Sequence, residues 1–243
     1  MARFSTSSIG KKFFMSITGL FLIVFLTLHL TINSFALFSG DAFNAGCEFM
    51  ALPFVTIIVP ILALGFLLHI TYATYLTITN IKARGNDRYE VANKTKASWA
   101  SKNMFVLGTI ILGMIIFHLT HFWAKMQLQD FIGADVSFNP YLLMLQTFKP
   151  WWVCTLYIVW FAAIWFHLTH GFWSAFHTIG WNNDIWIKRL KIVSYVFATI
   201  LFLGFTAVAV NACIKGNDTE LMKQLMEQGK NVAELAKINS IGL

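Results

Sequence analysis

The chain has 243 residues, of which 57% are hydrophobic and only 12% charged. Soluble domains carry about 25% charged residues, so the composition excludes an ordinary water-soluble domain and makes a bilayer the natural solvent. The formal charge is +7, but the cations sit between long apolar runs, a pattern of membrane orientation and not of nucleic-acid binding.

No Gly-rich phosphate loop and no basic stretch interleaved with aromatics is present, and no nucleic-acid partner is expected. The three cysteines, Cys47, Cys154 and Cys213, are far apart and form neither a C-x-x-C pair nor a C-x-x-C-H motif. That speaks against covalently attached c-type haem and Cys-ligated iron–sulfur clusters on this chain.

Five apolar stretches are each long enough for a bilayer, which takes about 20 residues. They are Phe13–Phe38, Phe54–Ile81, Asn103–Lys125, Trp151–Ile179 and Ile192–Ile214. A signal sequence is the alternative for the first, but its run is longer than a signal core and no clear A-x-A site follows. The expected fold class is all-α integral membrane, a five-transmembrane-helix bundle over 1–216. Residues 217–243 mix Lys and Glu with Leu221, Leu225, Val232 and Leu235, and read as an amphipathic tail helix on the outer surface or a frayed extension.

Orientation follows from Lys and Arg. Arg3, Lys11 and Lys12 precede the first stretch. Lys82, Arg84, Arg88, Lys94, Lys96 and Lys102 lie between the second and third, and Lys188, Arg189 and Lys191 between the fourth and fifth. The loop between the first and second stretches has none, and that between the third and fourth has Lys125 and Lys149. Positive loops face the cytoplasm, which places the N-terminus inside and the C-terminus outside a bacterial cytoplasmic membrane.

All seven histidines, His29, His69, His118, His121, His167, His170 and His177, lie in or at the edge of the apolar stretches. A single membrane histidine can serve only to bond a neighbouring carbonyl. Ionisable groups in a membrane are costly, however, and tend to mark function. His29 follows Lys12 by 17 residues and His118 follows Lys102 by 16; at 1.5 Å per residue both sit roughly 25 Å from the inner charges. His69 precedes Lys82 by 13 residues and His167 precedes Lys188 by 21, so on chains running the other way both lie in the inner half.

Depth thus sorts four histidines into an outer pair, His29 and His118, and an inner pair, His69 and His167. The same four share a His–aliphatic–Thr context, ending in Thr31, Thr71, Thr120 and Thr169, which the other three lack.

A haem iron takes two axial ligands on opposite faces of a flat ring, and two helices supply them naturally. The second imidazole nitrogen can then donate to a helix carbonyl. Zinc would want a tighter cluster with carboxylate or thiolate help, and none lies near these histidines in sequence. Two b-type haems, each held by two histidines, are therefore expected. Gly19 and Gly108 each lie ten residues before the histidine of their own stretch, at the expected inner-haem level. There a glycine lets a ring edge approach the backbone; ordinary small-residue helix packing is the alternative.

At this point the chain resembles the di-haem cytochrome b membrane anchor of succinate:quinone oxidoreductases (succinate dehydrogenase and fumarate reductase), in its single-chain five-helix form. The resemblance rests on Leu28-His29-Leu30 with Asn33 and Phe35, on Asp41-Ala42-Phe43-Asn44 with Phe49-Met50, and on His69 followed by Tyr72. It continues in Lys102-Asn103 with Gly108 and His118, and in Phe166-His167 with Gly171 and Trp173-Ser174. It implies the same pairing, with His29 and His118 on the haem far from the cytoplasm and His69 and His167 on the nearer one. Ser16 stands where the family has a polar contact to the inner haem's propionates, and Lys12 is a looser match for that role. The tail beyond Gly216 matches nothing in the family.

The resemblance also implies a flavoprotein subunit with covalent FAD and an iron–sulfur subunit, docked on the basic inner face. The dicarboxylate chemistry is theirs, and this chain would anchor them and exchange electrons with a quinone. A dimer of the whole complex is left open, as is the direction, succinate oxidation or fumarate reduction. The two-haem form points to menaquinone.

Two haems stacked across a bilayer make sense only if electrons must reach its far side, which places the quinone near the outer haem. Quinone reduction consumes protons, so a carboxylate there is useful. Glu48 is the acid set among apolar neighbours, between Cys47 and Phe49-Met50. Asn33, one turn outward from His29 on the same helix face, can hydrogen-bond a quinone carbonyl. The competing assignments are the di-haem anchor of a nitrate reductase or hydrogenase, and a haem-free transporter using its histidines as proton relays.

Overall fold

The computed structural model describes residues 7–84, 98–132 and 139–240. Arg3, Arg88, Lys94 and Lys96, used above for orientation, lie outside them. The described residues are helical, in the order α1 (Ser8–Ser34), α2 (Gly40–Met50), α3 (Pro53–Thr56), α4 (Ile58–Arg84), α5 (Trp99–Lys102), α6 (Met104–His121), α7 (Gln127–Phe131), α8 (Pro140–Phe148), α9 (Trp151–Thr178), α10 (Asp184–Gly216) and α11 (Thr219–Ser240). Short 3₁₀ turns at Phe35–Leu37 and Trp123–Lys125 follow α1 and α6.

Five segments are long and apolar enough to cross a membrane: Ile9–Leu37, Pro53–Ala83, Met104–Lys125, Trp151–Thr178 and Asp184–Gly216. They coincide with the five expected stretches except at the fifth. There the helix begins at Asp184, eight residues before the expected Ile192. The cause is local. Asn183 accepts the backbone N–H of Trp186 at 2.9 Å and Asp184 occupies the first turn, a good N-terminal arrangement. Lys188, Arg189 and Lys191 therefore ride on the first turns of a helix and not on a loop. Gly180, with φ of +115°, ends the chain's run out of α9 in a conformation that L side chains rarely adopt.

The long helices leave large apolar side chains outward, among them Val24, Leu28, Leu67, Ile116, Ile200 and Leu203. Each would cost about 1.5–3 kcal/mol to leave in water instead of an apolar phase, so the outer surface itself calls for lipid.

The chain divides into two compact units. The first comprises Met1–His29, Thr56–Leu112 and Ala162–Phe202. In it Gly65 faces the Phe21 ring so closely that an added Cβ would stand 2.7 Å from Cε1. Ser194, fully buried, directs its hydroxyl at the carbonyls of Leu168 and Thr169, 3.0 and 2.9 Å away. Trp165 Nε1 donates to Thr199 Oγ1 at 3.0 Å. These two polar ties hold α9 to α10 on either side of residue 167, where apolar contact alone gives little preference over lipid.

The second unit comprises Leu30–Val55, Gly113–Phe161 and Leu203–Leu243. It contains three short helices absent from the expectation, α2, α7 and α8, of which α2 and α8 are capped and joined. Ser39 caps α2 by accepting from Ala42 N, and Asn139 caps α8 by accepting from Leu142 N, with Pro140 at its first turn. They are fastened by Asn44, whose side-chain oxygen accepts the backbone N–H of Tyr141 at 2.9 Å. Tyr141 also covers Gly40, where any side chain would collide with its ring. The tail forms a helix, as expected, but packs on α8 within this unit, with Met222 buried and Lys223, Gln224 and Glu227 exposed.

Ser194 tests the polar tie. Ser194→Ala is expected to lower stability by about 0.5–1 kcal/mol. Ser194→Leu, with no space for its side chain, is expected to lower it by about 1–3 kcal/mol. Unfolding of the detergent-solubilised protein would measure both.

Candidate functional site

In the first unit α4 and α9 bring His69 and His167 together, with ring centroids 6.4 Å apart and planes at 67°. The sequence paired these two by depth, and the two rings lie close together, edge to face. A metal–imidazole bond of about 2 Å, with about 1 Å more from nitrogen to ring centre, would put two axial imidazoles roughly 6 Å apart across one iron. The observed spacing fits that arrangement.

The hydrogen bonds of His69 fit it as well. Thr18 Oγ1 lies 3.3 Å from His69 Nδ1. The Thr18 proton is already directed at the carbonyls of Phe14 and Met15, each at 3.0 Å. Its oxygen therefore accepts, and Nδ1 carries the hydrogen. The backbone of Met15 also bonds this ring. The lone pair is left on Nε2, the form of imidazole that binds a metal with its second nitrogen anchored. His167 Nδ1, by contrast, is buried without a hydrogen-bond partner among the described residues. Such an orphaned group costs free energy in an apolar setting; a metal at Nε2 would leave it unsatisfied, so the fit of a metal here rests on the ring spacing and on His69.

Glycine clears the space beside His69. A Cβ on Gly19 would stand 3.3 Å from His69 Cε1, tighter than ordinary contact. A Cβ on Gly108 or Gly171 would stand 4.0 Å from His167 Cε1 or Cδ2, an ordinary contact, so the close approach is confined to Gly19. Gly19 and Gly108 thus each stand beside the histidine of another helix.

Ser16 is buried on α1, and its hydroxyl donates to the Lys12 carbonyl at 3.0 Å. Lys12 is exposed. Its neighbour Lys11 donates instead to the Tyr75 hydroxyl at 2.9 Å and lies 4.5 Å over that ring. His29 stacks on Phe25 one turn earlier, at 5.3 Å, and Phe25 in turn meets Phe66.

His118 belongs to the second unit, in an aromatic setting. Its Nδ1 is 3.4 Å from the Tyr157 hydroxyl, and its ring lies 5.6 Å from Trp160 and 5.2 Å from Phe122. Trp160 Nε1 is buried without a partner among the described residues. Thr18, Tyr157 and Trp160 were not singled out in the sequence. The one available signal for the last two was their three-residue spacing on a helix, which any packed aromatic pair would share.

Glu48 lies exposed on α2, so it is helical and not in a loop, and Asn33 is half-buried in the last turn of α1. Beside Glu48, burial first and the carboxylate second push the Cys47 thiol up to about 12, so it stays protonated at neutral pH. Of the remaining histidines, His121 holds the Phe117 carbonyl of its own helix at 2.8 Å. His170 sits edge-on to Trp173 at 5.0 Å, and His177 is exposed.

The glycine cradle gives a specific expectation. Gly19→Val forces the His69 ring to move and should weaken or abolish any group held between His69 and His167. Gly113→Ala, with open space round it, should change nothing. The optical spectrum of the purified protein would read both.

No protein-family model matches the chain. It is similar to the succinate dehydrogenase cytochrome b558 subunit of Bacillus subtilis (strain 168), with 28% identity over 191 residues, which are 78% of this chain and 87% of that protein. Five apolar helices together with this similarity make the chain a multi-pass membrane protein, and the resemblance read from His29 through Ser174 is matched by a relative of that kind.

Proposed function

We propose that the chain is the membrane anchor and electron-transfer subunit of a succinate:quinone oxidoreductase, carrying two b haems between an iron–sulfur subunit and a quinone. The observation that carries this is the close pair His69 and His167, with ring centroids 6.4 Å apart on separate helices and Gly19 leaving room beside His69. A nitrate reductase or hydrogenase anchor would need a similar pair, and it is the similarity to a succinate dehydrogenase subunit that favours the first reading. Haem at these sites would supply reversible one-electron transfer in a medium that excludes ions.

The residues divide the work. His69 and His167 hold the inner haem, with Thr18 fixing the His69 tautomer. Ser16 and Lys12 lie toward the inner end of α1 and are assigned to its propionates; Ser16 would have to turn its proton from the Lys12 carbonyl to do so. His29 and His118 hold the outer haem. The quinone, of menaquinone type, binds near it, with Asn33 donating to a carbonyl and Glu48 delivering protons.

The membrane is the bacterial cytoplasmic one, with the N-terminus inside and the C-terminus outside. The flavoprotein, with its FAD, and the iron–sulfur subunit dock on the basic inner face, and the complex runs toward succinate oxidation or fumarate reduction as potentials dictate. A dimer of the whole complex would leave these roles unchanged.

Two experiments test the assignment. His69→Ala and His167→Ala are expected to remove one and the same haem, and His29→Ala and His118→Ala the other. His121→Ala, His170→Ala and His177→Ala should retain both. A haem count per chain and a reduced-minus-oxidised spectrum would show it, and loss of the same haem from His29→Ala and His69→Ala would overturn the pairing. Glu48→Gln is expected to lower succinate–quinone turnover by at least about 100-fold, the lower end for a lost proton-transfer group. Both haems, and succinate oxidation with an artificial acceptor, should persist. Full quinone activity would remove Glu48 from the mechanism.

A further inference from the structure

A cleft on the first unit, lined by α5, α9 and α10, lies outside the histidine pair. It has two connected parts that share Ser98, Thr169 and Tyr195. The polar part, about 230 Å³, is completed by Ser101, His170, Trp173 and Lys191. It holds several times the roughly 30 Å³ of one water in the liquid. The apolar part, about 360 Å³, is completed by Trp99, Ala100, Trp165 and Phe166.

Its charge is one-sided. Lys191 extends over the Trp173 ring at 4.8 Å, and His170 keeps a buried Nδ1 with no partner among the described residues. Among the described residues no carboxylate lines either part. The same unit carries Lys102, Lys188 and Arg189, together with outward-facing Trp99, Trp181 and Trp186. Tryptophans mixed with cations mark the level of the lipid head groups. An occupant of this cleft therefore needs an anionic head beside Lys191 and His170, and an apolar tail along Trp165 and Phe166. Basic pockets between membrane helices at this level suit phosphate head groups.

From the shared cleft we infer that the first unit carries a specific site for one anionic phospholipid, with its phosphate at Lys191, Ser101 and His170 and an acyl chain over Trp99, Trp165 and Phe166. A quinone would match the aromatic part but leave the ammonium without a counter-charge.

The test uses the full chain, with any subunits that co-purify, stripped of lipid in neutral detergent. It is titrated with phosphatidylglycerol or phosphatidylcholine, and bound lipid is counted by native mass spectrometry. One phosphatidylglycerol should be retained in preference to phosphatidylcholine. Lys191→Gln should weaken that binding about fivefold, the worth of one lysine near an anionic head group. Ser101→Asp, which adds a carboxylate while leaving Lys191 in place, should weaken it by at least as much, so that misfolding of either variant alone does not decide the matter. Lys149→Gln, in the second unit, should bind as the unaltered chain does. Equal retention of the two lipids, or unchanged binding in both cleft variants, would overturn the proposal. So would displacement of the lipid by a quinone analogue or by millimolar inorganic phosphate, which would assign the cleft to a quinone or to a bare anion.

Discussion

An imidazole surrounded by apolar helices must find partners for two nitrogens where no water is at hand, and the interior of the first unit is organised round that requirement. An unpartnered polar group in such a setting costs several kcal/mol at the apolar limit and about 1–3 in proteins. His69 meets the requirement at one nitrogen through Thr18 and the Met15 backbone. His167 does not meet it at Nδ1 among the described residues. A helix bundle built only for stability would not retain that arrangement, because a leucine at residue 167 would pack without the penalty. The orphaned nitrogen makes sense where the ring has a second task.

The packing round the pair follows from the same requirement. Glycine at residue 19 keeps a Cβ atom away from the His69 ring. Removing side chains from helix faces weakens contact between helices, and in lipid there is little hydrophobic drive to replace it. Ser194 and the Trp165–Thr199 bond restore the attachment with polar ties. Ser194 reaches the carbonyls of Leu168 and Thr169, the two residues after His167. The tie therefore fixes α9 at the place where an error in the height of His167 would matter most.

Much of this was legible in the sequence because the bilayer leaves few choices. Apolar length marks four of the five long helices to within a few residues. The fifth was misjudged at its start because Lys188, Arg189 and Lys191 read as loop charges. A helix can carry such charges past the apolar region, and the capping by Asn183 decides its start. The proximity of His69 and His167 was legible from spacing to flanking cations, since 1.5 Å per residue converts sequence into relative height along the helices. The short helices α2 and α8 were not, because a long-range bond from Asn44 to Tyr141 and local caps define them, and neither has a periodic apolar face of membrane length. Thr18 was equally hidden. It lies 51 residues from His69, and threonines are common throughout the apolar stretches.

The two units treat their histidines differently, and the difference has a chemical consequence. The Thr18 hydroxyl already donates to its own helix, which favours its accepting from His69 and a hydrogen on Nδ1. The Tyr157 hydroxyl beside His118 is under no such constraint from the bonds described. It can donate to Nδ1 or accept from it. If it donates, Nδ1 is the acceptor and the hydrogen of a neutral ring sits on Nε2, which cannot then bind a metal. If it accepts, Nε2 is free to do so. A metal at Nε2 of His118 therefore requires the Tyr157 proton to turn away, toward a partner other than this ring.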